Sequence, residues 1–214
     1  MSEKSDEKWS LADNLPEDAG EVAQIYDDFA PEYVTSVLEW GYEAPQVSAQ
    51  LLKQYKVPSD AQLLDAGCGT GLTGQVWQGA GYTQLIGIDI SADSLIEAKA
   101  TSAYIAVQQH DLEKRFPFPD NQFDVTLSIG VLTYIRKVQE TMAQFIRVTR
   151  PGGLIIFTQR NDLYAKRDCA NIFADLQAQG VWKQCYMSER RPYLPQHQEY
   201  GSEIEIHYFV YQVL

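Results

Sequence analysis

The sequence predicts an α/β chain: a doubly wound, mostly parallel sheet of seven strands, preceded by a helical N-terminal segment. Three observations carry that expectation. Short apolar runs alternate with helix-length amphipathic stretches from Gln62 onward, the pattern of βαβ units around a parallel sheet. Cap and terminator residues fall between them. A glycine-rich turn, LLDAGCGTGLTG at 63–74, follows directly on the first apolar run.

Taken in order, Ile25, Phe29, Tyr33, Val37 and Leu38 sit at helical spacing, with Pro31 expected to break or restart that helix. Pro45 suits the first turn of a second helix whose buried side holds Val47, Leu51 and Leu52. QLLDAG, TQLIGIDI, YIAVQQHD, FDVTLSIG and GGLIIFTQ are five candidate strands. Helices are expected over Thr73–Gly79, Ala92–Lys99 and Val138–Val148, with Ser91 as an N-cap. Pro151-Gly152-Gly153 stops the last of these, taken to run to Arg150, and launches the fifth strand. A further helix spans roughly Asp168 to Ala178. VWKQCYMSE and EIEIHYFVYQV then read as an antiparallel pair, with Ile204, Ile206, Tyr208 and Val210 on one face and His207 on a solvated one. The loop between them, RRPYLPQHQEYGS, is long for a hairpin and is a candidate lid.

Composition narrows the function. The chain has 214 residues and a formal net charge of −12. Such a charge repels nucleic-acid phosphates and anionic membranes. No run of about 18 apolar residues is present, and MSEKSDEKWS lacks the apolar centre of a signal peptide. Cys68, Cys169 and Cys185 lack metal or disulfide spacing and fit a reducing cytoplasm. The expected division is a flexible tail over 1–20, a helical segment over 21–60 and the α/β domain over 61–214.

The glycine turn admits two ligands. Gly69-Thr70-Gly71-Leu72-Thr73-Gly74 matches G-x-G-x-x-G, and Asp89 lies twenty positions past Gly69, the dinucleotide spacing. Asp65 argues the other way. It ends the first strand, where an open α/β sheet binds its ligand, and a pyrophosphate on this turn would face a carboxylate at close range. A ligand with a cationic end would be held instead. S-adenosylmethionine has an ammonium and a sulfonium, and its own carboxylate can use backbone N–H groups at the helix start. Asp89, ending the second strand, can accept ribose hydroxyls. Asp111, at the end of the third, can accept from an adenine amino group or serve as a turn residue.

LLDAGCGTG, GIDIS, HDLEKRFPFPDNQFDVTLSIGVLTYI and VTRPGGLIIF resemble, in order, the motifs of class I S-adenosylmethionine-dependent methyltransferases. IYDDFAPEYVTSVLEWGYEAP and TQRND…LQAQGVW resemble the Williams–Beuren syndrome region methyltransferase-like proteins. The resemblance implies a Rossmann-like sheet in the order 3-2-1-4-5-7-6, last strand antiparallel, with residues 21–60 as a lid. It implies S-adenosyl-L-methionine as cofactor. Asp65, Gly67, Cys68, Gly69 and Gly71 would take its methionine end, Asp89 and Ile90 the ribose and one adenine face, and Asp111 and Leu112 the adenine edge. Ser128 would offer its carbonyl to the ammonium, and Tyr26 and Tyr33 would fold over the cofactor or pack as core.

Methyl transfer is an in-line displacement that needs alignment more than acid–base machinery, so no metal cluster or triad is expected. Acceptor-side candidates are Tyr134, Arg160, Asn161 and Tyr193, with His197 and Tyr200 beside them. His110 neighbours Asp111, and on a strand only one of the two would face the ligand. The absence of N/D-P-P-Y after the fourth strand disfavours nucleobase amines. A core fold that takes up most of the chain favours a small-molecule acceptor. The alternatives are an NAD(P)-dependent oxidoreductase using Gly69–Gly74, and a non-catalytic S-adenosylmethionine-binding module.

Overall fold

The computed structural model describes residues 18–198, 201 and 203–214. Its strands are β1 (Gln62–Ala66), β2 (Gln84–Asp89), β3 (Ala106–Gln109), β4 (Phe123–Ser128), β5 (Thr149–Arg160), β6 (Trp182–Met187), β7 (Arg191–Pro192) and β8 (Glu205–Val213). They form one sheet in the order β3-β2-β1-β4-β5-β8-β6, with the two-residue β7 paired to β8. β8 runs antiparallel to β5 and β6, and β1 to β5 pair in parallel. This is the expected topology with one addition: the loop read as a candidate lid holds β7.

Helices α1 (Ala19–Glu39), α2 (Ala44–Gln54), α3 (Leu72–Gly79), α4 (Ala92–Ala100), α5 (Val138–Val148), α6 (Asn161–Lys166) and α7 (Cys169–Ala178) cover the sheet. Side chains alternate along each strand, so both faces need covering. Leu63, Leu127, Ile156 and Val210 join a core with Leu52 of α2 and Trp77 of α3. Leu64, Ile155, Phe157 and Phe209 join a second core with Phe145 of α5 and Phe173 of α7. Sheets covered on both sides carry near-continuous apolar strands, which is why LLDA and GLIIF read so plainly.

Several expectations need correction. α1 runs unbroken through position 31. A mid-helix proline costs about 3 kcal/mol, but α1 buries Phe29 and Val37, worth about 1.5–3 kcal/mol each. The helix begins at Ala19 with Asp18 as N-cap. The 1–20 tail therefore overlaps it at residues 18–20; residues 1–17, like Tyr200, lie outside the described residues. α5 ends at Val148, not Arg150, and Arg150 to Gly153 lie at an irregularity in the β4–β5 pairing. β3 ends at Gln109, two residues before Asp111. His207 is not solvated but buried: Nδ1 lies 2.9 Å from the Ser188 carbonyl, and the ring packs near Tyr164 and Phe209. Both faces of β8 are covered, so alternation there does not mean an exposed side.

Among the described residues no helix is long and apolar enough to cross a membrane. None of their His, Cys, Asp and Glu side chains cluster as a metal site.

Candidate active site

A cavity of about 320 Å³ opens past the carboxyl ends of β1, β2 and β4, beneath α1. Its floor is the turn after β1. Gly67 has φ +91°, and a Cβ there would lie 2.6 Å from Val131 Cγ1, so only glycine lets the strand turn this close to the neighbouring loop. The Gly67 and Cys68 amides both donate to the Ile88 carbonyl, at 2.7 and 3.1 Å. The Asp89 carboxylate lines the cavity and fastens the turn: Oδ2 accepts from the Gly69 amide at 2.7 Å and Oδ1 from the Ser91 amide at 3.0 Å. Burial raises the pKa of Asp89, against the pull of these backbone donors.

Ser91 caps α4 as expected, accepting from the Ser94 amide at 2.9 Å. Its hydroxyl also donates to Asp27 Oδ1 at 2.5 Å, and the Asp93 amide donates to the same oxygen at 3.2 Å. A carboxylate from α1 thus sits at the N-terminus of α4, where the helix dipole favours negative charge, and fixes α1 over the cavity.

Of the proposed cofactor residues, Tyr26, Tyr33, Gly67, Cys68, Gly69, Asp89, Ile90, Asp111 and Leu112 line the cavity. Asp111 Oδ1 accepts from the Glu113 amide at 2.9 Å, and Oδ2 lies 3.4 Å from Lys114 Nζ. His110 is not on the cavity wall; its ring meets Phe116 edge-on. Gly71 is the N-cap of α3, and Ser128 lies behind the wall with its hydroxyl donating to the Ala66 carbonyl at 2.8 Å.

Asp65 is 1% exposed and stands beneath the wall, not in it. Tyr104 Oη donates to its Oδ2 at 2.7 Å. Burial pushes the pKa of Asp65 up to about 7; the Tyr104 hydrogen bond pulls it down, and Asp89 adds a further upward push.

The opposite wall is aromatic. Tyr26 meets Tyr33 at 6.2 Å between centroids and Tyr134 edge-on at 5.5 Å. Tyr42 meets Tyr193 edge-on at 5.4 Å. Burial holds the phenols of Tyr26, Tyr42 and Tyr193 well above their ordinary range, which favours their neutral, hydrogen-bonding form. Of the four acceptor-side candidates, only Tyr134 lines the cavity. Arg160 is buried behind it, paired to Asp162 at 2.8 Å; burial raises the pKa of Tyr134 and Tyr193, and the Arg160 charge offsets part of that rise. Asn161 Oδ1 lies 3.4 Å from His207 Nε2, away from the cavity, and His197 packs edge-on against Trp40.

Sequence reasoning missed Tyr42, Thr70, Ser94, Tyr104 and Arg167. Thr70 lay inside the glycine turn and Ser94 in the first turn of α4, both visible in the motifs. Arg167 donates to the Leu132 and Thr133 carbonyls, each at 2.7 Å, and so sets the 3-10 turn Leu132–Tyr134 that carries Tyr134. A contact spanning 34 residues leaves no local signal.

The floor suits a zwitterionic nucleoside. Thr70 Oγ1 and Ser94 Oγ are buried on the cavity wall without partners among the described residues, and a buried hydroxyl is rarely left unpaired. No described residue stands within 4 Å of where a Gly69 side chain would begin, leaving bare backbone toward the cavity.

The family model described as "Methyltransferase domain" matches residues 64–157. "Methyltransferase-like protein 27" of Homo sapiens is 30% identical over 172 residues, covering 78% of this chain and 70% of that protein. A "Malonyl-[acyl-carrier protein] O-methyltransferase" of Buchnera aphidicola is 33% identical over 108 residues, covering 50% of this chain and 43% of that protein. The chain therefore spans less than half of that relative. Among solved structures, "Crystal Structure of the [4+2]-Cyclase SpnF" superposes with a TM-score of 0.72 at 16% identity, covering 94% of this chain and 97% of that one; this similarity shows the fold alone.

Proposed function

The chain belongs to the class I S-adenosylmethionine-dependent methyltransferases, with S-adenosyl-L-methionine as cofactor, and from that premise we propose that it methylates a small-molecule acceptor at a nitrogen, oxygen or other nucleophile. The observation that carries this is the division of one roofed cavity. A floor of acid, bare glycine backbone and the Thr70 and Ser94 hydroxyls faces a wall of neutral phenols, with α1 fastened across the top. That roof supports a compact acceptor over a polymer.

The cofactor supplies a methyl carbon already activated by an adjacent sulfonium. Asp89 would accept the ribose hydroxyls with the oxygen capacity its two backbone donors leave. Gly67 to Thr70 would receive the methionine end, with Asp65 beneath supplying charge complementary to its ammonium. Asp111 and Leu112 would bound the adenine. Tyr26 and Tyr33 would fold over the cofactor, and Tyr42 and Tyr134 would orient the acceptor through hydrogen bonds from their neutral phenols. Catalysis then rests on alignment and exclusion of water, a contribution that reaches about 7–11 kcal/mol when two reactants are well oriented. The relative named as a malonyl-[acyl-carrier protein] O-methyltransferase has a small acyl group, borne on a protein carrier, in its name, which supports a compact acceptor group. The net charge of −12 argues against nucleic acid, and free, buried Cys68 and Cys169 suit a reducing cytoplasm.

Calorimetry with adenosylhomocysteine and with NAD tests the floor; micromolar or tighter binding of the first and none of the second is expected. Transfer of labelled methyl groups into a deproteinised metabolite extract tests the acceptor. Label entering only added protein or RNA would overturn the small-molecule assignment.

A further inference from the structure

Resting on the assignment of Asp65 to the methionine end of the cofactor, we propose that Tyr104 is the positioning residue that makes Asp65 an effective partner for the cofactor's ammonium. Tyr104 precedes β3, and its hydroxyl is shared between two groups of the glycine turn. It donates to Asp65 Oδ2 at 2.7 Å and accepts from the Gly74 amide at 3.1 Å. Gly74 lies in the first turn of α3, whose N-cap, Gly71, has no side chain to satisfy such orphan donors. One phenol therefore caps α3 and holds the buried carboxylate.

The ring reaches that place because two positions lack side chains. A Cβ on Gly74 would lie 2.6 Å from Tyr104 Cε2, and one on Gly87 of β2 would lie 3.2 Å from Tyr104 Cδ1. Gly74 is the third glycine of the G-x-G-x-x-G spacing. Here it makes room for Tyr104, so that spacing serves a carboxylate support and is no mark of a pyrophosphate site.

The charged and titratable groups facing Asp65 are Tyr104, Asp89 of β2, Cys68 of the turn and Tyr42 before α2. Among them Tyr104 gives the stabilising contact, while Asp89 opposes ionisation. Removing the hydroxyl leaves Asp65 harder to ionise, and a neutral acid does not attract an ammonium.

The test is calorimetry of the full chain with two ligands across pH 5.5 to 9. Adenosylhomocysteine carries the amino-acid end; 5′-methylthioadenosine lacks it. In Tyr104→Phe, adenosylhomocysteine affinity at neutral pH should fall about tenfold, the scale of a hydrogen bond to a charged group. Methylthioadenosine affinity should hold within about twofold, the size of a contact left unchanged. The acid-side loss of adenosylhomocysteine affinity should begin at a higher pH than in the wild type. Asp65→Asn should show the same ligand selectivity with the pH dependence gone, and adding Tyr104→Phe to it should change nothing further. Equal weakening of both ligands, unchanged adenosylhomocysteine binding, or additive effects in the double variant would overturn the proposal. Wild-type protein binding NAD and not adenosylhomocysteine would instead overturn the functional assignment on which it rests.

Discussion

On one wall of the cavity the ligand space meets neighbours in sequence, Gly67 to Thr70, joined by Asp89 and Ile90. On the other it meets Tyr26 and Tyr33 of α1, Tyr42 before α2 and Tyr134 of the 3-10 turn, with Tyr193 beside β7 packed behind. The first wall presents bare backbone, two hydroxyls and a carboxylate. The second presents phenols that burial keeps protonated. The contrast teaches where each specificity resides. A fixed cofactor can be bound by strand ends and a turn, whose geometry is local. On the proposed division, the acceptor would be bound by rings gathered from distant elements.

The largest expected effect breaks the contrast at the point where the walls touch. Gly67→Ala drives a Cβ into Val131 at a positive φ; it should lower stability by about 2–5 kcal/mol and abolish adenosylhomocysteine binding. Urea unfolding and calorimetry check both. Asp65→Asn tests whether the first wall trades stability for charge. The folded pKa of about 7 lies above the ordinary carboxylate value of 3.8, so the native state holds its proton longer than the unfolded chain. Stability from this group is full below about pH 4 and falls as pH rises to 7; at about 1.4 kcal/mol per unit, the loss is at most about 4 kcal/mol. Asp65→Asn should therefore raise the Tm at pH 8, weaken adenosylhomocysteine, and match the wild-type Tm near pH 4.

Arg167→Met asks how far away the second wall is set. Two carbonyls of the 3-10 turn lose their donors, and stability should fall by about 2–3 kcal/mol. Adenosylhomocysteine affinity should hold within about twofold if the walls are independent. Tyr193→Phe sharpens the contrast at smaller cost: a change within about 1 kcal/mol, unaltered cofactor affinity, and an altered KM for any acceptor that is turned over. Lys114→Ala is the smallest, because its side chain is 74% exposed opposite Asp111; the Tm should stay within the measurement.

How much of this was legible follows the same line. Strand β1, the glycine turn, Asp89 and the Ser91 cap were readable because each is fixed by neighbours within a few residues. Asp65 was recognised, but its place beneath the wall was not, since that depends on Tyr104 from 39 residues away. His207 was misassigned because alternation reveals two faces without revealing that helices cover both. Pro31 was misjudged because a propensity of about 3 kcal/mol is settled by packing that the local sequence does not contain.

Sequence alone determined the parallel sheet, its crossover helices and the bare-backbone turn beside an acid, because hydrophobic period and turn stereochemistry act over a few residues. Tertiary structure alone decided which phenol supports Asp65, which arginine sets Tyr134 and which tyrosines line the cavity. Those choices depend on which distant side chains fill the space left by glycines and which buried polar groups would otherwise lack partners.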